Sequence, residues 1–201
     1  MISPFFPQDM FHVTLEQYAL TNKTGWRYGD RTKYKNLGRN QMLWDFGLPK
    51  DDFDNEQAIL AKIEEIDATF DMILIADMFD ESMVLLKNLL CWSYEEMTYL
   101  KLNSLKKEMK SQISPEARAA LKEWLWGDYL LYDHFKKKFE ATINEFGRDK
   151  LEQEMRILKT ANGNVKKRCI QAKVDNRELK GQFHTWSNDV EGYQVIIKEK
   201  K

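Results

Sequence analysis

The sequence predicts a helix-rich α/β fold with a small, mainly parallel sheet. Residues 70–76 form a short, nearly continuous apolar run bounded by polar residues, as in a buried parallel strand. An acidic turn follows at 77–81, and residues 82–92 then place apolar side chains at helical spacing. Residues 98–102 predict a further strand or extended segment. The order strand, turn, helix, strand favours an α/β core.

The N-terminal third predicts helices after an irregular start. Residues 1–35 contain several prolines and glycines and predict irregular structure, with a short helix at 9–19. A clearer helix is expected to begin after Asn36 as N-cap and to stop at Gly47. Apolar residues at helical spacing predict the next helix over 55–69.

The C-terminal half is predicted to be mostly helical. Ser114 is a good N-cap and Pro115 suits the first helical position. This helix is expected to break near Gly127, to resume, and to end at Gly147.

The end of the chain predicts one more helix and one strand. The helix runs from Asp149 to about Cys169, and the strand covers 192–197. Residues 198–201 are expected to form a solvated tail. With no internal repeat, the sequence predicts a single domain over residues 1–201.

Composition excludes several classes of protein. Hydrophobic residues make up 43% and charged residues 31% of the chain, which is ordinary for a folded domain. Thirty-one basic residues balance thirty-two acidic ones, which argues against a nucleic-acid-binding protein. No run approaches the roughly 20 apolar residues of a membrane span. The three dispersed histidines and two cysteines, without a Cys-x-x-Cys or His-Glu-x-x-His pattern, predict no metal site.

The acidic turn is the strongest candidate site from the residues themselves. Asp77, Asp80 and Glu81 lie where a strand ends and a helix begins, the position at which open α/β sheets bind ligands. The alternative is that Asp80 caps the following helix. His134 lies among aromatic residues of its helix and is either a proton carrier or a structural histidine.

Three weaker signals lie elsewhere. Lys23 to Gly25 has the letters of a phosphate loop but follows no apolar strand, and Trp26 is too bulky for a phosphate cradle, so it is interpreted as a chance match. Asn22 begins a glycosylation sequon. Cys91 and Cys169 are either two buried free thiols or one disulfide.

The run 70–92 resembles the galactose-3-O-sulfotransferase family. The family has an apolar strand here, then Phe-Asp-Glu-Ser, a Leu-rich helix and Leu-Cys-Trp, as in this chain. The similarity continues through 99–103 and covers about residues 36–197. Further matching positions are Arg39, Asn40, Asp45, Phe46, Gly47, Trp124, Asp128, Leu131, Tyr132, His134, Phe135, Phe146, Gly147, Cys169, Ile170, Gly192 and Tyr193.

The resemblance implies a fold, an activity and a location. The fold would be a P-loop-like sulfotransferase fold, present here in part. The activity would be transfer of sulfate from 3′-phosphoadenylyl sulfate to the 3-hydroxyl of galactose, on glycolipids such as galactosylceramide or on glycans. The protein would be a type II membrane glycoprotein of the Golgi, anchored by a segment that this chain does not contain. A lumenal location would suit glycosylation at Asn22 and a disulfide between Cys91 and Cys169.

The resemblance also marks site positions. The expected substrate-binding residues are Asp77, Asp80, Glu81, Lys101 and Asn103, and His134 is the catalytic candidate. We expect carboxylates to accept hydrogen bonds from galactose hydroxyls, and Lys101 to attract a sulfate or phosphate.

The chain also departs from the family pattern. The Lys-Thr loop for the 5′-phosphosulfate and the Arg-Asp-Pro segment for the 3′-phosphate do not occur in it. It is therefore predicted to be a fragment, a partial gene product or an inactive relative. The alternatives are a non-catalytic glycan-binding or scaffold protein, and a helical interaction protein.

Overall fold

A computed structural model describes residues 15–20, 39–101, 113–175 and 191–195. These residues form helices, two short 3₁₀ turns and one small sheet. In chain order the elements are α1 (Leu15–Leu20), α2 (Gln41–Asp45), a 3₁₀ turn (Lys50–Asp52), α3 (Glu56–Thr69), a second 3₁₀ turn (Ala76–Met78), α4 (Phe79–Leu89), α5 (Pro115–Trp124), α6 (Trp126–Phe146), α7 (Arg148–Cys169), β1 (Ile170–Asp175) and β2 (Glu191–Val195).

The chain divides into two compact units. The first contains residues 1–73 and 111–138, and the second contains residues 74–110 and 139–201. Among the described residues, no helix is long and apolar enough to cross a bilayer.

The sheet of the described residues is antiparallel, which corrects the predicted mainly parallel sheet. β1 pairs with β2, with Ile170 opposite Val195 and Asp175 opposite Glu191. The strand predicted at 192–197 is confirmed over Glu191–Val195, whereas β1 was not predicted from the sequence. It follows α7 without a turn, because the backbone changes to extended geometry at Ile170 (φ −107°, ψ 119°).

The strand predicted at 70–76 is not formed, and of the two alternatives given for 98–102 the strand is not seen in the described residues 98–101. Residues 70–75 leave α3 without pairing to any described strand, and Ile75 is the buried residue of the run whereas Phe70 is 47% exposed. Residues 98–101 have no regular structure. In the described parts of the chain these segments have no neighbouring strand to complete a ladder, so an apolar run alone does not make a strand.

Side-chain caps begin two of the helices, and the cap predicted at Ser114 is confirmed. The Asn55 side chain accepts a hydrogen bond from the N–H of Ala58 at 3.2 Å, and that of Ser114 accepts one from Ala117 at 3.0 Å. Each side chain satisfies one of the N–H groups that a helix start leaves without a backbone partner.

The helix ends predicted at the two glycines are confirmed, whereas the start of α2 differs from the prediction. Gly47 and Gly147 adopt positive φ angles of 88° and 94°, which glycine tolerates without a steric penalty. The predicted N-cap Asn36 lies outside the described residues, and α2 begins only after Asn40. The predicted break near Gly127 is confirmed and lies at Leu125, between α5 and α6.

The acidic turn predicted at 77–81 is a 3₁₀ turn followed by the first turn of α4. Helix α4 begins at Phe79, not at Ser82, and its N-cap Met78 makes no side-chain cap. Ser82 is fully buried, where its hydroxyl accepts from the N–H of Ile75 at 3.0 Å and donates to its carbonyl at 3.1 Å. The serine therefore fastens the extended segment to α4.

A buried polar pair organises the first unit. The Asp128 carboxylate accepts the N–H groups of Met42 at 3.1 Å and Leu43 at 3.0 Å, at the start of α2. The Asn40 side chain in turn accepts the N–H of Asp128 at 3.2 Å. Asn40 is fully buried in a left-handed conformation (φ 43°), so α6 and the start of α2 are joined through these two side chains.

Helices α4 and α7 pack against each other in the second unit. Glu154 of α7 accepts hydrogen bonds from Lys87 at 3.1 Å and from Asn88 at 3.0 Å, near the end of α4. At the start of α4, Asp80 lies 3.7 Å from Lys159. Later residues of α4 therefore meet earlier residues of α7, and the two helices are antiparallel.

This arrangement corrects the expected disulfide. Cys91 and Cys169 are free, exposed thiols. Cys91 follows the end of α4, near the level of Glu154, and Cys169 ends α7. Fifteen residues of helix separate Glu154 from Cys169, a rise of about 22 Å, whereas disulfide-bonded Cα atoms lie within about 7 Å. The sequon residue Asn22 lies outside the described residues.

Candidate active site

A cavity of about 760 Å³ opens within the second unit. Its volume falls in the range of roughly 300–1,000 Å³ that is usual for small-molecule sites. Four parts of the chain line it: the start of α4 with the preceding 3₁₀ turn, residues 99–101, one face of α7, and the sheet. The lining residues are Ala76, Asp77, Phe79, Asp80, Glu81, Tyr99, Leu100, Lys101, Lys159, Asn162, Gly163, Lys166, Ile170 and Tyr193.

One wall of the cavity is acidic. Asp77 lies in the 3₁₀ turn, and Asp80 and Glu81 lie in the first turn of α4. Carboxylates are favourable there because a helix start carries partial positive charge. The start of α4 follows an apolar extended segment, as phosphate-binding helix starts often do. The same three negative charges nevertheless oppose the binding of a phosphate there.

Asp80 uses both carboxylate oxygens. One accepts the Tyr99 hydroxyl, and the other lies 3.7 Å from the Lys159 ammonium. Burial and the hydrogen bond to Asp80 raise the pKa of Tyr99 well above its usual range, because an ionised tyrosine would face a carboxylate. Tyr99 therefore remains a hydrogen-bond donor. The alternative that Asp80 caps α4 is wrong, because the N-cap of this helix is Met78 and makes no side-chain cap. Asp80 instead positions Tyr99.

Tyr99 is fixed from two further directions. Its backbone N–H donates to the Asn162 side chain at 2.9 Å, and its ring meets that of Phe79 edge to face at 4.8 Å. Edge-to-face aromatic pairs are favoured by the ring quadrupole. These contacts hold residues 99–101 against α4 and α7, and so place Lys101 in the cavity wall.

A second wall of the cavity is basic and comes largely from α7. Lys159, Asn162, Gly163 and Lys166 occupy positions i, i+3, i+4 and i+7, which lie on one face of a helix. With Lys101, this wall supplies three ammonium groups against three carboxylates. Phe79, Tyr99 and Tyr193 add aromatic surface. Such a lining suits a sugar, because carboxylates and ammonium groups bind hydroxyls while rings pack on C–H faces.

Four of the sequence-predicted site residues line this one cavity: Asp77, Asp80, Glu81 and Lys101. Asn103 lies outside the described residues. Sequence reasoning missed the α7 residues, although a polar i, i+3, i+4, i+7 stripe with a glycine in the helix interior was a readable signal.

His134 is not among the residues that line the cavity. It lies on α6 in the first unit, where its Nε2 is 2.9 Å from a carboxylate oxygen of Asp67. Lys138 contacts the other oxygen of Asp67. The hydrogen bonds from Lys138 and then His134 lower the pKa of Asp67. The geometry therefore favours the structural interpretation of this histidine over the catalytic one.

Comparison with known proteins agrees with the resemblance of the sequence. The sequence model of the family described as galactose-3-O-sulfotransferase matches residues 12–198. No solved structure matches the chain.

Three relatives illustrate the similarity. A galactosylceramide sulfotransferase of Bos taurus is 33% identical over 145 residues, which are 72% of this chain and 34% of the relative. Galactose-3-O-sulfotransferase 2 of Homo sapiens is 31% identical over 146 residues, 72% of this chain and 37% of the relative. Galactose-3-O-sulfotransferase 3 of Mus musculus is 28% identical over 198 residues, 92% of this chain and 45% of the relative.

The chain thus spans between 34% and 45% of the length of these relatives. The family match covers almost the whole chain, including every described element. The chain belongs to the galactose-3-O-sulfotransferase family.

Proposed function

We propose that the cavity of the second unit binds the galactose acceptor of a sulfotransferase. The reaction would transfer sulfate from 3′-phosphoadenylyl sulfate to the 3-hydroxyl of galactose on a glycolipid, such as galactosylceramide, or on a glycan. The observation that carries the proposal is the convergence of four residues marked by the family resemblance, Asp77, Asp80, Glu81 and Lys101, on one cavity with aromatic surface.

The cavity offers groups for each part of the chemistry. The galactose oxygen attacks the sulfur, the bond from sulfur to the donor phosphate breaks, and the hydroxyl proton leaves to a base. Glu81 is a suitable acceptor for that proton, because Asp80 is already occupied by Tyr99 and Lys159. Lys101 and Lys166 suit the anionic oxygens of the sulfate.

The nucleotide part of the donor has no evident cradle at this cavity. The helix start that borders it carries Asp77, Asp80 and Glu81, whose charges would repel a phosphate. In this proposal the cavity supplies the acceptor side, and the donor is held by residues other than those that line it. Activity of the chain alone would then be weak or absent.

The second candidate is a glycan-binding protein without catalysis. It is favoured by the same observation, because a cavity with sugar-binding groups and no phosphate cradle can hold galactose without turnover. For both candidates, the family implies a membrane-anchored protein whose domain lies in the Golgi lumen. Both also predict that the ligand is a glycolipid or glycan with a terminal galactose.

Two measurements separate the candidates. The purified chain is incubated with labelled 3′-phosphoadenylyl sulfate and galactosylceramide or lactosylceramide, and binding of methyl β-galactoside is titrated in parallel. Binding without turnover supports the acceptor-side proposal and the glycan-binding alternative. Turnover abolished by Glu81→Gln supports the enzyme. Absence of galactoside binding by the folded chain overturns the assignment of the cavity.

Calorimetry with 3′-phosphoadenosine 5′-phosphate tests the donor side. We expect weak or no binding. Tight binding that is lost on Lys101→Gln or Lys166→Gln would assign the basic wall to the nucleotide instead of the acceptor.

A further inference from the structure

Helix α7 carries a glycine in its interior. Gly163 lies six residues before the helix end at Cys169, and its backbone is helical. Glycine is among the poorest residues for a helix interior, because it loses more backbone freedom than any other residue on folding. The backbone of Gly163 has no positive φ angle, so its conformation does not require a glycine and the residue needs another explanation.

Packing against the described residues does not provide that explanation. A Cβ built on Gly163 meets no described atom within 4 Å. Gly127 is the opposite case, because a Cβ there would lie 2.8 Å from Leu43 Cδ1 and 3.0 Å from Asn40 Nδ2. Gly127 is required by close packing in the first unit, whereas Gly163 faces open space.

The open space at Gly163 belongs to the cavity. Gly163 is one of its lining residues, and it lies on the same helix face as Lys159, four residues earlier, and Lys166, three residues later. Its neighbour Asn162 is fixed by the N–H of Tyr99. The cavity therefore has bare helix backbone at its centre on this wall, with an ammonium group one turn away on either side.

We propose that Gly163 is a specificity-determining residue whose missing side chain lets a pyranose ring lie against α7 between Lys159 and Lys166. The proposal rests on the assignment of the cavity to the galactoside. A side chain at this position would occupy the volume that the ring needs. Glycine makes the helix less stable than alanine would at this position. In return, the sugar can approach the helix backbone more closely.

The test separates helix stability from sugar binding. Gly163→Ala and Gly163→Leu are compared with Asn164→Ala and Asn164→Leu in the full chain. Asn164 is the exposed next residue of the same helix and does not line the cavity. Melting temperatures are measured by circular dichroism, and methyl β-galactoside is titrated into each variant.

We expect opposite changes in the two quantities. Gly163→Ala should raise the melting temperature by about 2–4 °C, because alanine replaces glycine in a helix of a chain of this size. Gly163→Ala should weaken galactoside binding severalfold, and Gly163→Leu by about tenfold or more, because the larger side chain fills the cavity. The Asn164 variants should raise the melting temperature and leave the affinity unchanged.

Different results would overturn the inference about Gly163 and the proposed function. If the Gly163 variants are more stable but bind the galactoside as the parent chain does, Gly163 plays no part in recognition, and the proposed function stands. A lower melting temperature for both variants would mean that another part of the chain packs against Gly163, which overturns the inference. If the parent chain is folded and binds no galactoside, the proposed function fails, and the inference fails with it.

Discussion

The Tyr99 hydroxyl donates a hydrogen bond to the Asp80 carboxylate, and this contact ties the segment after α4 to the first turn of that helix. Asp80 belongs to the Phe-Asp-Glu-Ser motif, which this chain shares with the galactose-3-O-sulfotransferase family. Tyr99 begins the next stretch of the chain that is similar to the family. Ser82 of the same motif fastens Ile75. The motif therefore joins three segments, and it also contributes Phe79, Asp80 and Glu81 to the lining of the cavity.

Removal of the Tyr99 hydroxyl should loosen this junction. Tyr99→Phe keeps the ring that meets Phe79 but leaves the Asp80 oxygen without its donor. We expect a loss of about 1–2 kcal/mol in the free energy of unfolding. Urea denaturation measures the loss, and Tyr129→Phe on α6 is a matched control. An unchanged midpoint for Tyr99→Phe would show that the contact contributes nothing.

Glu154 should control the ionisation of Tyr94. The Tyr94 hydroxyl donates to Glu154 at 2.9 Å. Burial, together with this carboxylate, raises the pKa of Tyr94 to about 12. Glu154→Gln removes the negative charge, so the Tyr94 pKa should fall back towards its ordinary value of 10.0. Ultraviolet titration of tyrosinate follows this change.

Two controls identify the titrating group. Tyr94→Phe should remove from the curve of the parent chain the one tyrosine whose ionisation responds to Glu154→Gln. Glu152→Gln, on the exposed side of the same helix, should leave the curve as it is. A Glu154→Gln curve identical to that of the parent chain contradicts the assignment.

Helix positions were predictable from the sequence where local chemistry sets them. Ser114 caps the helix that it was expected to cap, and Gly47 and Gly147 end theirs. The apolar spacing over 55–69 likewise predicted α3. The cap and the helix ends depend on one residue and the backbone a few residues away. They need no knowledge of the rest of the fold.

The strand prediction at 70–76 failed, and the set of lining residues was incomplete, because both depend on distant partners. An apolar run such as 70–76 becomes a strand only when another strand pairs with it, and none of the described residues does so. Likewise, Asp77 and Lys101 were predicted as site residues, but the contribution of Lys159 and Gly163 depends on α7 packing antiparallel to α4. Periodicity indicates which residues share a helix face, not what that face meets.

Asp128 should be a large contributor to the stability of the first unit. Asp128→Ala leaves the N–H groups of Met42 and Leu43 without an acceptor in a buried place. We expect a loss of about 2–4 kcal/mol in the free energy of unfolding. Asp133→Ala, at an exposed position of the same helix, should change it by less than about 0.5 kcal/mol. Equal effects of the two substitutions would rule out the capping role.

The contacts of Asp67 predict a loss of stability in acid. Its pKa is lowered from 3.8, chiefly by the hydrogen bond from Lys138 and then by that from His134. A carboxylate with a lowered folded pKa stabilises the fold fully above its unfolded value, and this contribution disappears as the pH falls through the folded value.

Urea denaturation between pH 6 and pH 3 checks this dependence. The difference in unfolding free energy between the parent chain and Asp67→Asn should be constant above about pH 5 and should shrink below pH 3.8. Asp71→Asn, at an exposed position, is the control. A difference that grows as the pH falls would contradict the sign of the Asp67 contribution.

Glu81 should contribute to sugar binding through its charge. Glu81→Gln keeps the shape of the side chain but replaces a charge-assisted acceptor with a neutral one, which is weaker for sugar hydroxyls. We expect the affinity for methyl β-galactoside to fall by about 5- to 30-fold, which corresponds to about 1–2 kcal/mol. Glu95→Gln, an exposed residue of the same unit outside the cavity, should bind as the parent chain does. Because Glu81 lies in the first turn of α4, where a negative charge is favourable, the substitution should lower the free energy of unfolding by no more than about 1 kcal/mol and leave the chain folded. Equal affinities of the two variants would place the galactose hydroxyls away from this carboxylate and move the search for the base to Asp77.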